Sequence, residues 1–184
     1  MKGEIIVHTG PMFSEKSLVL LSAYGRATIA QRKVVAFKPA LDYRFGENTI
    51  KSRKFKDAEI EAINIKDISE IQEYEADVYI IDEFQFLTGD VSVIQDMADS
   101  GKKFHICGLD MTAEGKPFGQ MPQIMAIADR VEKLTAVCND CKDDATYSFY
   151  LGRKDTEIVV GDGMYIPLCR ECWRKRMKEK EQNC

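Results

Sequence analysis

The chain has 184 residues, which is enough for one domain with a small appendage and for a buried hydrophobic core. Hydrophobic residues make up 45% and charged residues 30%, and this excludes a disordered chain or a fibrous repeat as a description of the whole. The formal net charge of −4 disfavours a protein that binds nucleic acid mainly through its phosphates, because such proteins are usually basic.

The first two thirds of the sequence predict an alternation of strands and helices. The strand-like runs are continuously apolar, as expected for a sheet that is covered on both faces. We therefore predict an α/β fold with a mostly parallel sheet flanked by helices, in a domain over residues 1–135. The predicted strands are 4–9, 33–37, 58–65, 78–82 and 103–107. The predicted helices are 16–30, 67–75 and 90–100, and a polar loop is predicted over 40–57.

The pattern of predicted elements changes after about residue 130. Short strand-like segments alternate there with two Cys-x-x-Cys pairs, and a charged helix is predicted over 173–182. We predict a second, smaller β domain over 136–184 that a metal ion holds together. Its predicted strands are 135–138, 145–150 and 157–160.

Neither a membrane span nor a signal peptide is expected. No apolar run approaches the ~20 residues that a spanning helix needs. The apolar run near the N-terminus ends in a Gly-Pro turn and not in a small-residue cleavage site. We therefore expect a cytoplasmic protein.

The segment GPMFSEKS (10–17) lies between the first strand and the first helix, where a P-loop would lie. Backbone amides and the helix N-terminus would hold phosphates, Lys16 would reach the outer phosphates, and Ser17 would bind Mg²⁺. Glu15 replaces the second glycine of the pattern, so it brings a carboxylate near phosphates at a position where the backbone favours glycine. This loop alone fits a phosphate site and a plain strand–turn–helix about equally.

An acidic pair ends the apolar strand in VYIIDEFQF (78–86). Asp82 would hold Mg²⁺, and Glu83 could accept the proton of an attacking hydroxyl. An acid pair after a strand is more often a turn or a helix cap. Because a P-loop-like segment precedes it, we favour a nucleotide site at the carboxyl ends of the strands.

Four cysteines form two Cys-x-x-Cys pairs, Cys138 with Cys141 and Cys169 with Cys172. In a reducing compartment such pairs favour metal over disulfides, and four thiolates suit tetrahedral zinc. A structural role is favoured because four cysteines leave no open coordination position. Cys107 ends an apolar strand and is expected to be a small buried residue.

The order of the motifs resembles one known family, the compact zinc-containing thymidine kinases of bacteria, DNA viruses and animal cytosol. The resemblance spans nearly the whole chain. It implies phosphoryl transfer from ATP, with Mg²⁺, to the 5′-hydroxyl of thymidine for DNA precursor salvage, a structural zinc ion and a homotetramer. The motifs are GPMFSEKS, KPALDYRFG (38–46), IDEFQF (81–86), GLDMTAEGKPFG (108–119), AIADRVEKLTAVCNDC (126–141) and VVGDGMYIPLCRECW (159–173).

The resemblance also implies roles for individual residues. Glu83 would be the general base, and the four cysteines would hold zinc at the base of a "lasso" loop that closes over the nucleoside. The residues implied for ATP and Mg²⁺ are Gly10, Pro11, Met12, Phe13, Ser14, Glu15, Lys16, Ser17, Asp42, Arg44, Asp82 and Gln85. The residues implied for thymidine are Met12, Phe118, Val159, Val160, Gly161, Asp162, Gly163 and Tyr165.

Five residues depart from the family pattern, and the changes at Phe45 and Val160 are mild. Glu15 supports an alternative function, a nucleoside-binding protein of the same fold whose kinase activity is weakened or lost. Phe84 stands where a small residue is commonest and would crowd the site. Ala113 stands where an aromatic residue often covers the base. A third hypothesis, a zinc ribbon that binds nucleic acid through the basic tail, is disfavoured by the acidic total charge and the β-α pattern.

Overall fold

The computed structural model describes residues 2–40, 48–52, 58–152 and 162–182. Two kinds of element alternate along most of this length. The strands are β1 (Glu4–Thr9), β2 (Val34–Pro39), β3 (Thr49–Lys51), β4 (Glu59–Glu61), β5 (Ile63–Ile65), β6 (Val78–Ile81), β7 (Lys103–Gly108), β8 (Arg130–Lys133), β9 (Ala136–Val137), β10 (Asp144–Ala145), β11 (Tyr147–Tyr150) and β12 (Tyr165–Leu168). The α-helices are α1 (Lys16–Ile29), α2 (Ser92–Asp99), α3 (Met121–Ile127) and α4 (Arg170–Gln182), and 3-10 helices cover Ile68–Glu73, Phe84–Phe86 and Asp162–Met164.

A six-stranded parallel sheet forms the centre of the molecule, which confirms the predicted fold class. Its strand order is β5-β2-β6-β7-β1-β8, and all five neighbouring pairs are parallel. The carboxyl ends of β6, β7 and β1 therefore lie side by side. In such sheets the loops that follow these ends form the ligand site.

Apolar side chains cover both faces of the sheet. On one face, Ile5 and Val7 of β1 pack in a core with residues of α2 and α3. On the other face, Leu20 of α1 packs over Ile80 and Cys107. Both faces of the inner strands are buried, which explains why those strands are apolar at successive positions.

The second group of elements builds a smaller core around the cysteines. Strands β9 and β10 pair antiparallel, as do β11 and β12. Ala136, Phe149 and Leu168 are buried there, and Trp173 and Met177 of α4 pack against them. The last turns of α4 carry mostly charged side chains that are exposed.

The structure differs from the sequence prediction in several elements. The predicted single strand over 58–65 is two strands, because Glu59–Glu61 pairs antiparallel with Thr49–Lys51 whereas Ile63–Ile65 joins the central sheet. The prediction also lacked α3, β8 and β12. Strand β8 is a sheet edge with one neighbour, and its polar sequence does not give the apolar run of an inner strand. The predicted strand over 157–160 and part of the predicted loop over 40–57 lie outside the described residues.

Within the described residues, every helix falls short of the length and apolar character that crossing a bilayer would require.

Candidate active site

The P-loop segment curves between β1 and α1 with three residues at positive φ. Gly10 has φ 141°, and a Cβ there would come within 2.2 Å of the carbonyl oxygen of Leu134. Phe13 has φ 68°, and Glu15 has φ 60° and ψ 28° directly before the first residue of α1. The expectation that the backbone at residue 15 takes a glycine-type conformation is therefore confirmed. The side chain of Glu15 is exposed.

The ammonium group of Lys16 lies inside the curve of this loop. Its Nζ donates hydrogen bonds to the carbonyl oxygens of Gly10 (3.1 Å) and Pro11 (2.6 Å) and to Oγ of Ser14 (3.3 Å). The side chain of Ser14 also donates to the Pro11 carbonyl oxygen over 2.8 Å. Lys16 is buried, so its charge acts in an environment of reduced dielectric constant. An anion that approached the loop would meet a fixed positive charge.

Ser17 and Asp82 bring a hydroxyl and a carboxylate together beside the lysine. Oγ of Ser17 donates to Oδ2 of Asp82 over 2.9 Å, and the other oxygen of Asp82 accepts from the amide of Glu83 over 2.9 Å. Asp82 is buried at the end of β6. Oxygen ligands of these two types are the ones that Mg²⁺ accepts beside water and phosphate.

Gln85 connects the carboxylate of Glu83 to the end of β7. Its Nε2 donates to Oε2 of Glu83 over 2.6 Å, and its Oε1 accepts from the amide of Leu109 over 2.9 Å. Gly108 and Gly119 permit this arrangement, because a Cβ at either position would come within 2.8 Å or less of Gln85 atoms. The carboxylate of Glu83 is therefore held in one orientation and keeps further acceptor capacity.

Two neighbouring side chains lie beneath the site. Phe84 is fully buried in the core with Ile81 and Leu87, so the expectation that it crowds the site is wrong. Cys107 is fully buried, as predicted, and its Sγ lies 3.3 Å from the carbonyl oxygen of Lys16. Burial, with Asp82 nearby, raises the pKa of the Cys107 thiol well above its usual value, so the group stays a neutral thiol.

The residues expected near thymidine are only partly described. Met12 is buried, and its amide donates to Oγ of Ser148 over 2.9 Å. Phe118 packs edge-on against Phe86, with ring centroids 5.4 Å apart. The ring of Tyr165 lies 5.1 Å from that of Tyr150. Asp162 and Gly163 lie in a short 3-10 helix before β12. Asp42, Arg44, Val159, Val160 and Gly161 lie outside the described residues.

The four cysteines predicted to bind metal come together. Sγ atoms of Cys138, Cys141, Cys169 and Cys172 all lie within 4.8 Å of one another. The distance from Cys141 Sγ to Cys169 Sγ is 3.7 Å, close to the ~3.8 Å edge of a tetrahedron with zinc–sulfur bonds of ~2.3 Å.

Among the four cysteines, Cys138 is the one whose thiolate form is stabilised most by its surroundings. Burial alone would raise the pKa of its thiol, but amide donors of Cys141, Cys169 and Asp140 outweigh this effect and lower the pKa to about 6. The thiolate, which is the form that binds zinc, is thus available at neutral pH. The donor set and its spacing fit a structural zinc ion.

Comparison with known proteins identifies the family of this chain. Residues 3–173 match the family model described as thymidine kinase. The chain belongs to the thymidine kinase family. A thymidine kinase of Porphyromonas gingivalis is 42% identical over 177 residues, which are 95% of this chain and 86% of the relative. Thymidine kinases of Bacteroides thetaiotaomicron and Bacteroides fragilis are 38% and 36% identical over 183 residues, 98% of this chain and 92% of each relative.

Membership in the thymidine kinase family makes this chain a phosphotransferase. The matched range includes both the P-loop and the four cysteines, so the hypothesis of a separate zinc ribbon loses its basis. The alternative of a nucleoside-binding protein without kinase activity gains no support from these relatives, each of which is described as a thymidine kinase.

Sequence reasoning missed two contacts of this thymidine kinase. Ser148, which binds the amide of Met12, is 136 residues away from it, and a serine in a short strand gives no signal in a single sequence. Trp173 donates from Nε1 to the carbonyl oxygen of Ala113 over 3.0 Å. Trp173 ends the motif VVGDGMYIPLCRECW (159–173), but nothing in the sequence indicates its hydrogen-bond partner.

Proposed function

We propose that this chain transfers the γ-phosphoryl group of ATP to the 5′-hydroxyl of thymidine, which gives thymidine monophosphate and ADP. The observation that supports this most is the continuous set of contacts from Ser17 through Asp82 and Glu83 to Gln85, beside the buried ammonium of Lys16. These contacts support a site in which a cation, two oxygens that could bind a metal and a candidate base share one edge of the sheet.

The P-loop and Lys16 would bind and orient the phosphates of ATP. Phosphoryl transfer needs little covalent help from the protein, so positioning and charge stabilisation supply most of the rate. Ser17 and Asp82 would hold Mg²⁺, which neutralises charge on the phosphate oxygens when it is bound. Lys16 would leave its carbonyl partners to reach the outer phosphates.

Glu83 would accept the proton of the thymidine 5′-hydroxyl. Its hydrogen bond from Gln85 orients the carboxylate for this role. The hydroxyl oxygen then attacks the γ-phosphorus, and ADP leaves with the electrons of the broken phosphorus–oxygen bond. Asp42 and Arg44 are proposed to lie near the phosphates on the basis of the family motif alone.

Thymidine would be bound by residues from both parts of the chain. Met12, Phe118 and Tyr165 are proposed to line the thymine pocket, and the lasso residues Val159, Val160, Gly161, Asp162 and Gly163 to close over it. Burial, with a smaller effect of Tyr150, raises the pKa of Tyr165, so its hydroxyl stays a donor at neutral pH.

Three further features belong to the same proposal. We propose a nucleotide-binding domain over 1–135 and a zinc-binding lasso domain over 136–184, because buried clusters lie on each side of that boundary. We also propose a homotetramer, as the family resemblance implies, and a cytoplasmic location, where DNA precursors are made.

The test is steady-state phosphorylation of thymidine by Mg²⁺-ATP with the parent chain and Glu83→Gln. Loss of the base should lower kcat by about 10²–10⁴-fold. Glu73→Gln is the matched control, because Glu73 is exposed in the 3-10 helix before β6, and its kcat should equal that of the parent. An inactive parent, or a Glu83→Gln variant with the parent's kcat, would contradict the proposal.

A further inference from the structure

Trp173, the single tryptophan of the chain, connects the cysteine cluster to the loop between β7 and α3. We call residues 109–120 the β7–α3 loop. The indole Nε1 donates to the carbonyl oxygen of Ala113 over 3.0 Å. The indole also packs on Gly115, where a Cβ would come within 3.1 Å of Trp173 and where φ is +73°. One side chain from α4 therefore contacts the middle of the loop at two positions.

Both ends of the β7–α3 loop contact Gln85, the hydrogen-bond partner of the proposed base Glu83. At the first end, the amide of Leu109 donates to Oε1 of Gln85, which binds Glu83. At the second end, the ring of Phe118 packs on Phe86, and Gly119 lies directly against the backbone of Gln85. A displacement of this loop would change the position of Phe118 and the support of Gln85.

The position of the indole depends in turn on the cysteine cluster. Trp173 follows Cys172 directly, and its amide donates to the carbonyl oxygen of Cys169 over 2.9 Å in the first turn of α4. The indole stacks on Tyr147, with ring centroids 4.7 Å apart, and the guanidinium of Arg170 lies 5.2 Å from the centre of the same tyrosine ring. Fixing the cysteines would fix this turn and, with it, the indole.

We propose that Trp173 is a positioning residue through which the zinc-bound cysteine cluster sets the affinity for thymidine. This proposal rests on the proposed function, since it takes the pocket beside Phe118 to be the thymidine site. The methyl side chain of Ala113 offers little packing area, so we attribute the position of this part of the loop to the hydrogen bond at its carbonyl oxygen and to the packing on Gly115.

The first experiment compares Trp173→Phe with Arg174→Gln. Phenylalanine keeps an aromatic ring against Tyr147 but removes the N–H donor, and Arg174 is an exposed neighbour on the same helix. Trp173→Phe should raise the KM for thymidine about two- to tenfold, the effect of losing one hydrogen bond of ordinary strength. Its kcat and its KM for ATP should stay within twofold of the parent values, and Arg174→Gln should match the parent throughout.

A second experiment uses hydrogen exchange and needs no substrate. In zinc-loaded protein, amides of 109–119 should exchange faster in Trp173→Phe than in Arg174→Gln, while those of β1 and β7 should be equal. Removing zinc from the parent with a chelator should speed exchange in the same segment, and the chelator should add little in Trp173→Phe. Zinc content and circular dichroism of each variant confirm that the fold is retained.

The two experiments separate this proposal from the proposed function. If the parent fails to phosphorylate thymidine, the proposed function is wrong, and the exchange data still decide whether Trp173 holds the loop. Equal exchange of 109–119 in both variants would overturn the proposal, as would a thymidine KM in Trp173→Phe that equals the parent's. An equal rise in the KM values for thymidine and ATP would also overturn it.

Discussion

Oγ of Ser17 donates a hydrogen bond of 2.9 Å to Oδ2 of Asp82, which joins the first turn of α1 to the carboxyl end of β6. The two side chains lie 65 residues apart in the sequence, yet they present a hydroxyl and a carboxylate to one point. Mg²⁺ usually takes only one or two protein ligands beside water and phosphates. If the proposed function is right, this pair would already be arranged for the metal before nucleotide binds.

Asp82→Asn tests this arrangement. Asparagine keeps an acceptor for Ser17 but removes the negative charge, so we expect a higher Mg²⁺ requirement and a kcat lower by about 10²-fold or more. Asp77→Asn is the control, because Asp77 precedes the opposite end of β6 and accepts from the amide of Lys33. The test is to measure the rates of both variants over a Mg²⁺ titration. An equal Mg²⁺ dependence in the two variants would contradict the role of Asp82 as a Mg²⁺ ligand.

Glu15→Gly should raise the stability of the chain and strengthen its binding of ATP. The left-handed backbone at Glu15 costs about 1–2 kcal/mol in a residue with a Cβ, and the entropy of glycine in the unfolded state offsets part of this gain. We expect a free energy of unfolding higher by about 0.5–1 kcal/mol and a lower KM for ATP.

Glu15→Gln separates charge from backbone conformation. Because the carboxylate is exposed, its repulsion of a phosphate ~4 Å away is about 1 kcal/mol, or about fivefold in the KM for ATP. Glutamine should recover this factor and leave the stability unchanged. An inactive parent with an active Glu15→Gly variant would support the alternative of a silenced kinase, and identical ATP kinetics in all three proteins would show that the loop tolerates Glu15.

The central sheet and the phosphate-site residues could be predicted because their signals are local. An inner parallel strand such as β6 is apolar at every position, and Lys16, Ser17, Asp82 and Glu83 each stand at a fixed place after a strand. The edge strand β8 could not be predicted in this way, since exposed positions at an edge accept the charged residues Arg130 and Lys133.

Contacts between distant segments could not be predicted from one sequence. The hydrogen bond from Trp173 to Ala113 spans 60 residues and that from Met12 to Ser148 spans 136. Neither has a periodic pattern or a fixed spacing, because each depends on how the cysteine-containing part packs against the sheet. Sequence reasoning found the four cysteines but not these two hydrogen bonds between the cysteine-containing part and the rest of the chain.

Cys169→Ser should weaken thymidine binding but leave the central sheet folded. Three of the four cysteines, Cys138, Cys169 and Cys172, pack in a cluster with Leu168 and Phe149, which is separate from the two clusters on the faces of the sheet. We expect loss of zinc, a thymidine KM raised about tenfold or more, and unchanged hydrogen exchange in β1 and β7. Equal loss of protection in the sheet and in β11 would contradict the separation of the two parts.

The lowered pKa values of two histidines, His8 and His105, predict that the protein loses stability in mild acid. Burial, with the charge of Lys103, lowers the pKa of His105 to about 4, and burial also lowers the pKa of His8, although Glu132 opposes this. The unfolded chain, with a histidine pKa near 6.5, binds more protons than the folded one as the pH falls from about 6.5 towards 4. The free energy of unfolding should therefore decrease as the pH is lowered. We expect a decrease of about 1–2 kcal/mol between pH 7 and pH 5, after allowance for the partial exposure of His105.

Urea unfolding at a series of pH values measures this dependence, with His105→Gln as the comparison. The variant should have a shallower curve between pH 7 and pH 5. It should keep the pH dependence that comes from protonation of the zinc-binding thiolates, so the difference between the two curves isolates the histidine. Parallel curves would assign the acid sensitivity to other groups.

Lys180 in the last turn of α4 should contribute to thymidine binding from a distance. Its Nζ donates to the carbonyl oxygens of Tyr150 (2.9 Å) and Gly152 (2.6 Å), where the chain leaves β11 towards the lasso. The ammonium also lies 5.1 Å from the centre of the Tyr150 ring, and that ring packs on Tyr165 on the other side of the lasso. The end of the helix thus contacts the chain directly before the segment proposed as the lasso.

Lys180→Met removes the ammonium and keeps a long apolar side chain, and we expect a thymidine KM about three- to tenfold higher with kcat little changed. Lys178→Met is the matched control, because Lys178 is exposed two residues earlier on the same helix. Lys180→Arg should recover most of the affinity, since a guanidinium can donate to both carbonyl oxygens. If Lys180→Met and Lys178→Met behave alike, the lasso's base does not depend on this contact; a difference confined to KM would show that α4 acts on the loop and not on the chemistry.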